Sequence, residues 1–340
     1  MIKFCTWGSA SEMKIIAPLI SEFERRNSDV KIELMHIPQD YFKKLHLLFA
    51  SNMAPDVVFI NNLNLPVYSK FLIDLNEYAD KSLYFPQAIE AMSVDNCLYA
   101  IPRDVSTLMV YYNKDLFDKY GVSYPKKEWS IEDLTTISRS LTRNGVWGIS
   151  FEPKIYNALP YAGYYGVYEV EKLSPETKGI ALYKALAHKY HYAPTEAQTG
   201  SKTQAQMFLE GKIALHLSGR WMVPKYRECA NFNWDVVNFP HYSASSDASG
   251  WAVSKQSKNK EQAIKFVLYL SSYENILKMT ADGLIVPARK DVAQSKSFLS
   301  GKPEHSELFI EGVNRSKPTV VTKNYIKITD KLNDEVFSSR

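Results

Sequence analysis

CLYAIPRDVSTLMVYYNKDLF, residues 97–117, combines three local signals in one short stretch. Ile101 stands before Pro102, and the proline ring holds the residue ahead of it in an extended conformation. Arg103, Asp104, Ser106 and Thr107 then form a polar group between apolar segments, where a buried strand would carry Val, Ile or Leu; the pattern predicts a loop whose side chains reach a ligand. TLMVYY predicts a strand and DLFDKYG a short helix closed by Gly121. Such an order reads as a crossing from one lobe to another.

Upstream, residues 2–7 predict a strand and Ser9–Asn27 a helix, with Ile15, Ile16, Leu19, Ile20 and Phe23 on one face. Pro18 lies inside that pattern and predicts a start or a bend there. VKIELMHIP alternates as a half-exposed strand, Tyr41–Met53 repeats the helical period, and Pro55–Ile60 is a continuous apolar run suited to a parallel strand covered on both faces. The resulting β-α-β-α-β order, with right-handed crossovers, puts the strand ends on one edge, where ligands bind. Trp7, Gly8 and Ser9 follow the first strand. Asn61 and Asn62 follow the third, so two loops are expected to serve one crevice.

Downstream, Ser130 with Asp133 three residues later predicts a capped helix start. Residues 156–168 are rich in tyrosine and have no regular period. MFLEGKIALHLSGRWMVPKY predicts helix, strand and turn, with Arg220 and Trp221 at the strand's end. WDVVNFP predicts another strand, SASSDASG a loop, and WAVSKQSKNKEQAIKFVLYLSS a strand running into a helix.

The segments YAIP…YYNKDLF, PDVV, F-x-x-GK-x-A…G-x-W and GLIVPARKDV, in this order, resemble the extracytoplasmic solute-binding proteins of ABC importers, in the sugar-binding group related to maltose-binding protein. IPRDVSTLMVYYNKDLF is also similar to the glycerol-phosphate binders of that fold. The resemblance implies an α/β, periplasmic-binding-protein-like fold: two hinge-connected lobes, each with a mostly parallel sheet flanked by helices. Residues 1–105 with 255–312 would form the first lobe, and 106–254 with 313–340 the second. Crossing strands are expected near 104–110, 250–256 and 313–322, with the ligand cleft between the lobes. Implied ligand-binding residues are Trp7, Ser9, Glu12, Tyr41, Asn61, Asn62, Arg103, Asp104, Ser106, Tyr164, Tyr165, Arg220, Trp221, Gly250, Trp251 and Arg289. The protein would capture a sugar as a monomer in the periplasm or another extracytoplasmic space and deliver it to a membrane permease. The resemblance also implies an export signal, which is absent from the residues given. No cofactor and no metal are called for.

Composition is that of an ordinary soluble globular protein. Lysine and arginine number 41 against 37 acidic residues, interspersed without a basic stripe, which argues against a nucleic-acid partner. The three cysteines, Cys5, Cys97 and Cys229, are far apart and odd in number, so they predict free thiols. No apolar run is long enough to span a bilayer. The glycine-rich phosphate loops and the G-x-S-x-G elbow are missing from the sequence. His188 and His191 lack a patterned third ligand, and zinc normally takes three or four. Two other readings stay open. Glu12 and Asp104 would serve as the carboxylate pair of a glycoside-processing enzyme. Arg103, Arg220 and Arg289 would suit glycerol 3-phosphate or a glycerophosphodiester, because a guanidinium forks onto phosphate.

Overall fold

Strand β1 (Ile2–Thr6), helix α1 (Ala10–Arg26), strand β2 (Ile32–His36), helix α2 (Tyr41–Ala50) and strand β3 (Val57–Asn61) open the chain in the expected order. The computed structural model describes residues 1–338, Ser11 by its backbone alone. β1 runs parallel to both β2 and β3, so the carboxyl ends of β1 and β3 share an edge. β3 is buried along Val57–Ile60, as its unbroken apolar run requires, whereas β2 lies at the sheet edge and alternates. Ser9 caps α1: its hydroxyl accepts from the Glu12 N–H at 3.2 Å, and the Ser9 N–H donates to Glu12 Oε2 at 2.8 Å. Pro18 neither starts nor ends α1, which continues through it. Phe23 packs edge-on against Phe266 of the helix Lys260–Leu270, at 5.0 Å between ring centroids, and Phe4 of β1 meets the same ring at 5.3 Å.

The remaining strands are β4 (Ser93–Val94), β5 (Cys97–Leu98), β6 (Ile101–Thr107), β7 (Met109–Asn113), β8 (Trp147–Ile149), β9 (Ile213–Ser218), β10 (Trp234–Asn238) and β11 (Ser246–Val253). One sheet has the order β2-β1-β3-β11-β6 and the other β10-β7-β9-β8. Both are mixed, where mostly parallel sheets were expected: β11 is antiparallel to β3, and β7 is antiparallel to β9 and β10. Two segments also change type. Arg103 and Asp104 belong to strand β6, not to a loop, and the SDASG of the expected loop is the first half of β11.

The chain divides into two compact units. The first comprises Met1–Val105, Asp247–Ala281 and Ile285–Phe298; the second comprises Ser106–Ser246, Asp282–Leu284 and Leu299–Arg340. The chain therefore passes back at 246/247, ahead of the expected 254/255, because the backbone of β11 is hydrogen-bonded to the first unit's sheet from Ala248 onward. Residues 299–312, expected in the first lobe, belong to the second unit, where the helix Glu307–Arg315 packs near β10.

In the second unit, His305 Nδ1 lies 2.5 Å from Oδ2 of the buried Asp235. That hydrogen bond raises the His305 pKa above the ordinary 6.5; partial burial opposes it, and the charges of Asp235, Glu307 and Glu304 assist. A raised folded-state value means the stabilisation is complete below the unfolded value and disappears as pH rises through the folded one. The melting temperature should therefore fall on the alkaline side of pH 6.5. His305→Ala should flatten that part of a melting-temperature profile; an unchanged slope would assign it to other groups.

Candidate functional site

At the shared carboxyl edge of the first unit's sheet stands Arg103. Only 8% of it is exposed. Its Nε donates to Asp104 Oδ2 at 2.6 Å and its Nη1 to Glu12 Oε1 at 3.2 Å. Burial alone would lower the pKa of the guanidinium, but the charges and hydrogen bonds of Asp104 and Glu12 outweigh it and raise the value. The Ser249 hydroxyl donates to the same Asp104 Oδ2 at 2.6 Å, tying β11 to β6. Beneath the guanidinium lie the rings of Phe59, 5.1 Å away, and Trp251, 6.0 Å away. Those two residues are cross-strand partners on β3 and β11.

Trp7 follows β1 with its ring edge-on to Phe59 at 5.9 Å and 45% of the residue exposed. An exposed indole beside paired carboxylates offers an apolar face and hydrogen-bond acceptors in one place, the two features a polyhydroxylated ring needs. Glu12 has three tasks there: it completes the α1 cap, holds Arg103 and fills the space over Gly8, where a Cβ would stand 2.8 Å from Oε2. Gly250 lets β11 approach β6, since a Cβ would meet the Ile101 carbonyl oxygen at 2.2 Å.

Several predicted residues have other work. Trp251 is 0% exposed, in the middle of β11, and belongs to the core. Tyr41 is buried too, its hydroxyl donating to the Cys5 carbonyl at 3.1 Å and the Phe59 carbonyl at 2.9 Å. Asn62 spends its amide inside the fold: Nδ2 donates to Asp247 and Oδ1 accepts from the Ala248 N–H. Asn61 Oδ1 accepts from the backbone and side chain of Asn64, closing the turn after β3. Ser9 is the α1 cap. Arg289 forks onto Asp291, with Nε–Oδ1 at 3.1 Å and Nη2–Oδ2 at 2.7 Å, and its Nη1 reaches the Ser271 carbonyl at 3.4 Å. It is a local ion pair of the first unit.

The second unit has its own aromatic groups. Trp221 follows β9 and is 44% exposed, its ring lying over Gly219, where a Cβ would come within 1.9 Å of it. The Tyr111 hydroxyl, donating to the Gly219 carbonyl at 2.7 Å, fixes that turn. Arg220, beside it, is only 1% exposed; its guanidinium lies 4.7 Å from the Phe309 ring, and burial pushes its pKa down to about 9. Tyr164 stacks on His241 at 4.8 Å and donates to Glu132 at 3.3 Å. Tyr165 packs edge-on to Tyr164 with Lys178 4.2 Å over its face. Ser106 is partly exposed on β6.

Sequence reasoning missed Ser249, Phe59 and His241. Ser249 lay in a stretch read as loop, and Phe59 in a run that looked like core throughout. His241 offered only an isolated histidine after a proline. Among the described residues, one group could offer three metal-ligating side chains, Asp235, Glu304 and His305, but Asp235 already takes His305 Nδ1, and Glu304 pairs with Lys114 at 3.1 Å. Among the same residues no helix is long and apolar enough to cross a membrane.

Two α/β units, each presenting an exposed tryptophan just past a strand's carboxyl end, are the architecture of a solute-binding protein. The chain belongs to the bacterial extracellular solute-binding protein family, whose pattern it matches over residues 18–304. It is 25% identical over 340 residues to a galactooligosaccharide-binding protein of Bacillus subtilis (strain 168), covering 92% of this chain and 78% of that protein. It is 26% identical over 333 residues to the maltodextrin-binding protein MdxE of the same organism, covering 89% and 77%. Among solved structures, the ABC substrate-binding protein Lmo0181 of Listeria monocytogenes, in complex with cycloalternan, superposes with a TM-score of 0.88 at 27% identity, covering 98% of this chain and 93% of that one.

Proposed function

We propose that this protein captures a sugar, in the size range of an oligosaccharide, outside the cytoplasm and hands it to an ABC permease, acting as a monomer and without chemical turnover. The observation that carries the reading is the exposed Trp7 beside the Glu12–Arg103–Asp104 cluster at the carboxyl edge of the first sheet. C–H faces of a sugar ring stack on indole while its hydroxyls donate to carboxylates. Names of the similar proteins, a galactooligosaccharide binder, a maltodextrin binder and a cycloalternan complex, support the same class of solute. Trp221 is the corresponding platform of the second unit. Both carboxylates of the enzyme alternative are engaged by one guanidinium, an arrangement that favours holding a ligand over dividing acid and base roles.

Calorimetric titration with galactotriose, maltotriose and cycloalternan tests the reading. Trp7→Ala and Trp221→Ala should each cost about 2 kcal/mol of binding free energy, as anchor aromatics do, and leave the ligand-free melting temperature nearly unchanged. A folded wild-type protein that binds none of the three would defeat the proposal. Loss of stability instead of affinity would make these two tryptophans structural.

A further inference from the structure

We infer that the site selects for uncharged glycans and against phosphorylated ones, with Arg103 serving as the internal counter-ion of two acceptor carboxylates and not as a clamp for an anionic ligand. This deepens the sugar reading above and rests on it. A guanidinium grips phosphate through a free fork of N–H donors. In Arg103 the guanidinium is already held on two sides: Nε donates to Asp104 at 2.6 Å and Nη1 to Glu12 at 3.2 Å, while Phe59 and Trp251 lie beneath it. Two carboxylates face one cation, so this cluster is net negative. A phosphate approaching the remaining N–H groups would stand beside two carboxylates that already share this one cation, a costly placement where water is scarce. Arg289, the other basic candidate of this unit, gives its Nε–Nη2 fork to Asp291.

Sugar hydroxyls meet the opposite situation. Asp104 Oδ2 accepts from Arg103 and Ser249, but Oδ1 accepts no bond among the described residues, and the side chain remains partly exposed. Glu12 is partly exposed as well. A carboxylate held rigid by an arginine and a serine, with one oxygen open, is a preorganised acceptor for a hydroxyl donor. It offers nothing to a phosphate oxygen, which has no proton to give once fully ionised.

The test compares the tighter-binding of maltotriose and galactotriose with the 6-phosphate of the same trisaccharide and with sn-glycerol 3-phosphate, in wild type and Glu12→Gln, at low and high salt. Gln is accepted at the third position of a capping box, so the α1 cap survives the change, and a melting curve verifies it. Wild type should prefer the neutral trisaccharide at least about tenfold, with little response to salt, and Glu12→Gln, which leaves one carboxylate for one guanidinium, should narrow that preference about tenfold. Tighter, salt-sensitive binding of either phosphate by wild type overturns the inference and leaves the sugar-binding fold in place. So does an unchanged preference in folded Glu12→Gln. Failure of folded wild type to bind the trisaccharides, cycloalternan or the phosphates defeats the sugar reading itself, and the inference falls with it.

Discussion

Trp251→Ala is expected to lower the unfolding free energy of the ligand-free protein by about 3–5 kcal/mol, the range for deleting a large core aromatic. Trp251 is fully buried at the centre of β11, across from Phe59, and its successors Ala252 and Val253 are fully buried as well. Its indole Nε1 has no hydrogen-bond partner among the described residues, and a buried donor of that kind costs the fold about 1–3 kcal/mol. Trp251→Phe removes that donor along with some volume, so it should cost less than Trp251→Ala. Denaturant unfolding of the three proteins without ligand measures both effects. Full stability of Trp251→Ala combined with loss of sugar binding would return the residue to the ligand. The exposed Trp7 should behave in the reverse sense, losing affinity and keeping stability.

Local periodicity made the first half of the first unit legible. The helical faces of α1 and α2 and the unbroken run of β3 appear where the spacing put them, as does the Ser130 cap in the second unit. Each depends on neighbours within a few residues. What sequence could not carry was pairing between distant strands. β11 begins in SDASG, a composition that reads as turn, yet it is inserted between β3 and β6, where Gly250 is required by the Ile101 carbonyl pressing against it. Once SDASG is strand, Trp251 moves from a loop mouth to mid-strand, and its expected contact with ligand becomes core packing. Tyr41 and Asn62 were misread similarly, because a polar tip near a strand end can as readily satisfy backbone inside the fold as face solvent. Arg103 and Asp104 were correctly singled out as anomalous in an apolar context. Their polarity is tolerated in β6 because they neutralise each other and reach the sheet's open edge.

Arg103→Ala should be about as damaging as the tryptophan deletion, for an electrostatic reason. Removing one partner of a buried ion pair leaves the other charge without compensation and typically costs about 3–5 kcal/mol; Glu12 and Asp104 keep some contact with water, which places this variant near 3 kcal/mol. Arg103→Lys restores the charge but not the fork that serves two carboxylates at once, so it should recover only part of the loss. The decisive comparison is the double variant Arg103→Ala with Asp104→Asn. With Asp104 neutral, one of the two orphaned charges is gone, and the double variant should be less destabilised than the sum of the two single changes, by about 1–2 kcal/mol. Strict additivity in denaturant unfolding would mean the two side chains do not act as a pair. Binding should not follow stability through this series: Asp104→Asn gives up the acceptor proposed for sugar hydroxyls and should lose affinity on its own, so recovery of folding without recovery of binding is the signature of a carboxylate that belongs to the site and an arginine that holds it there.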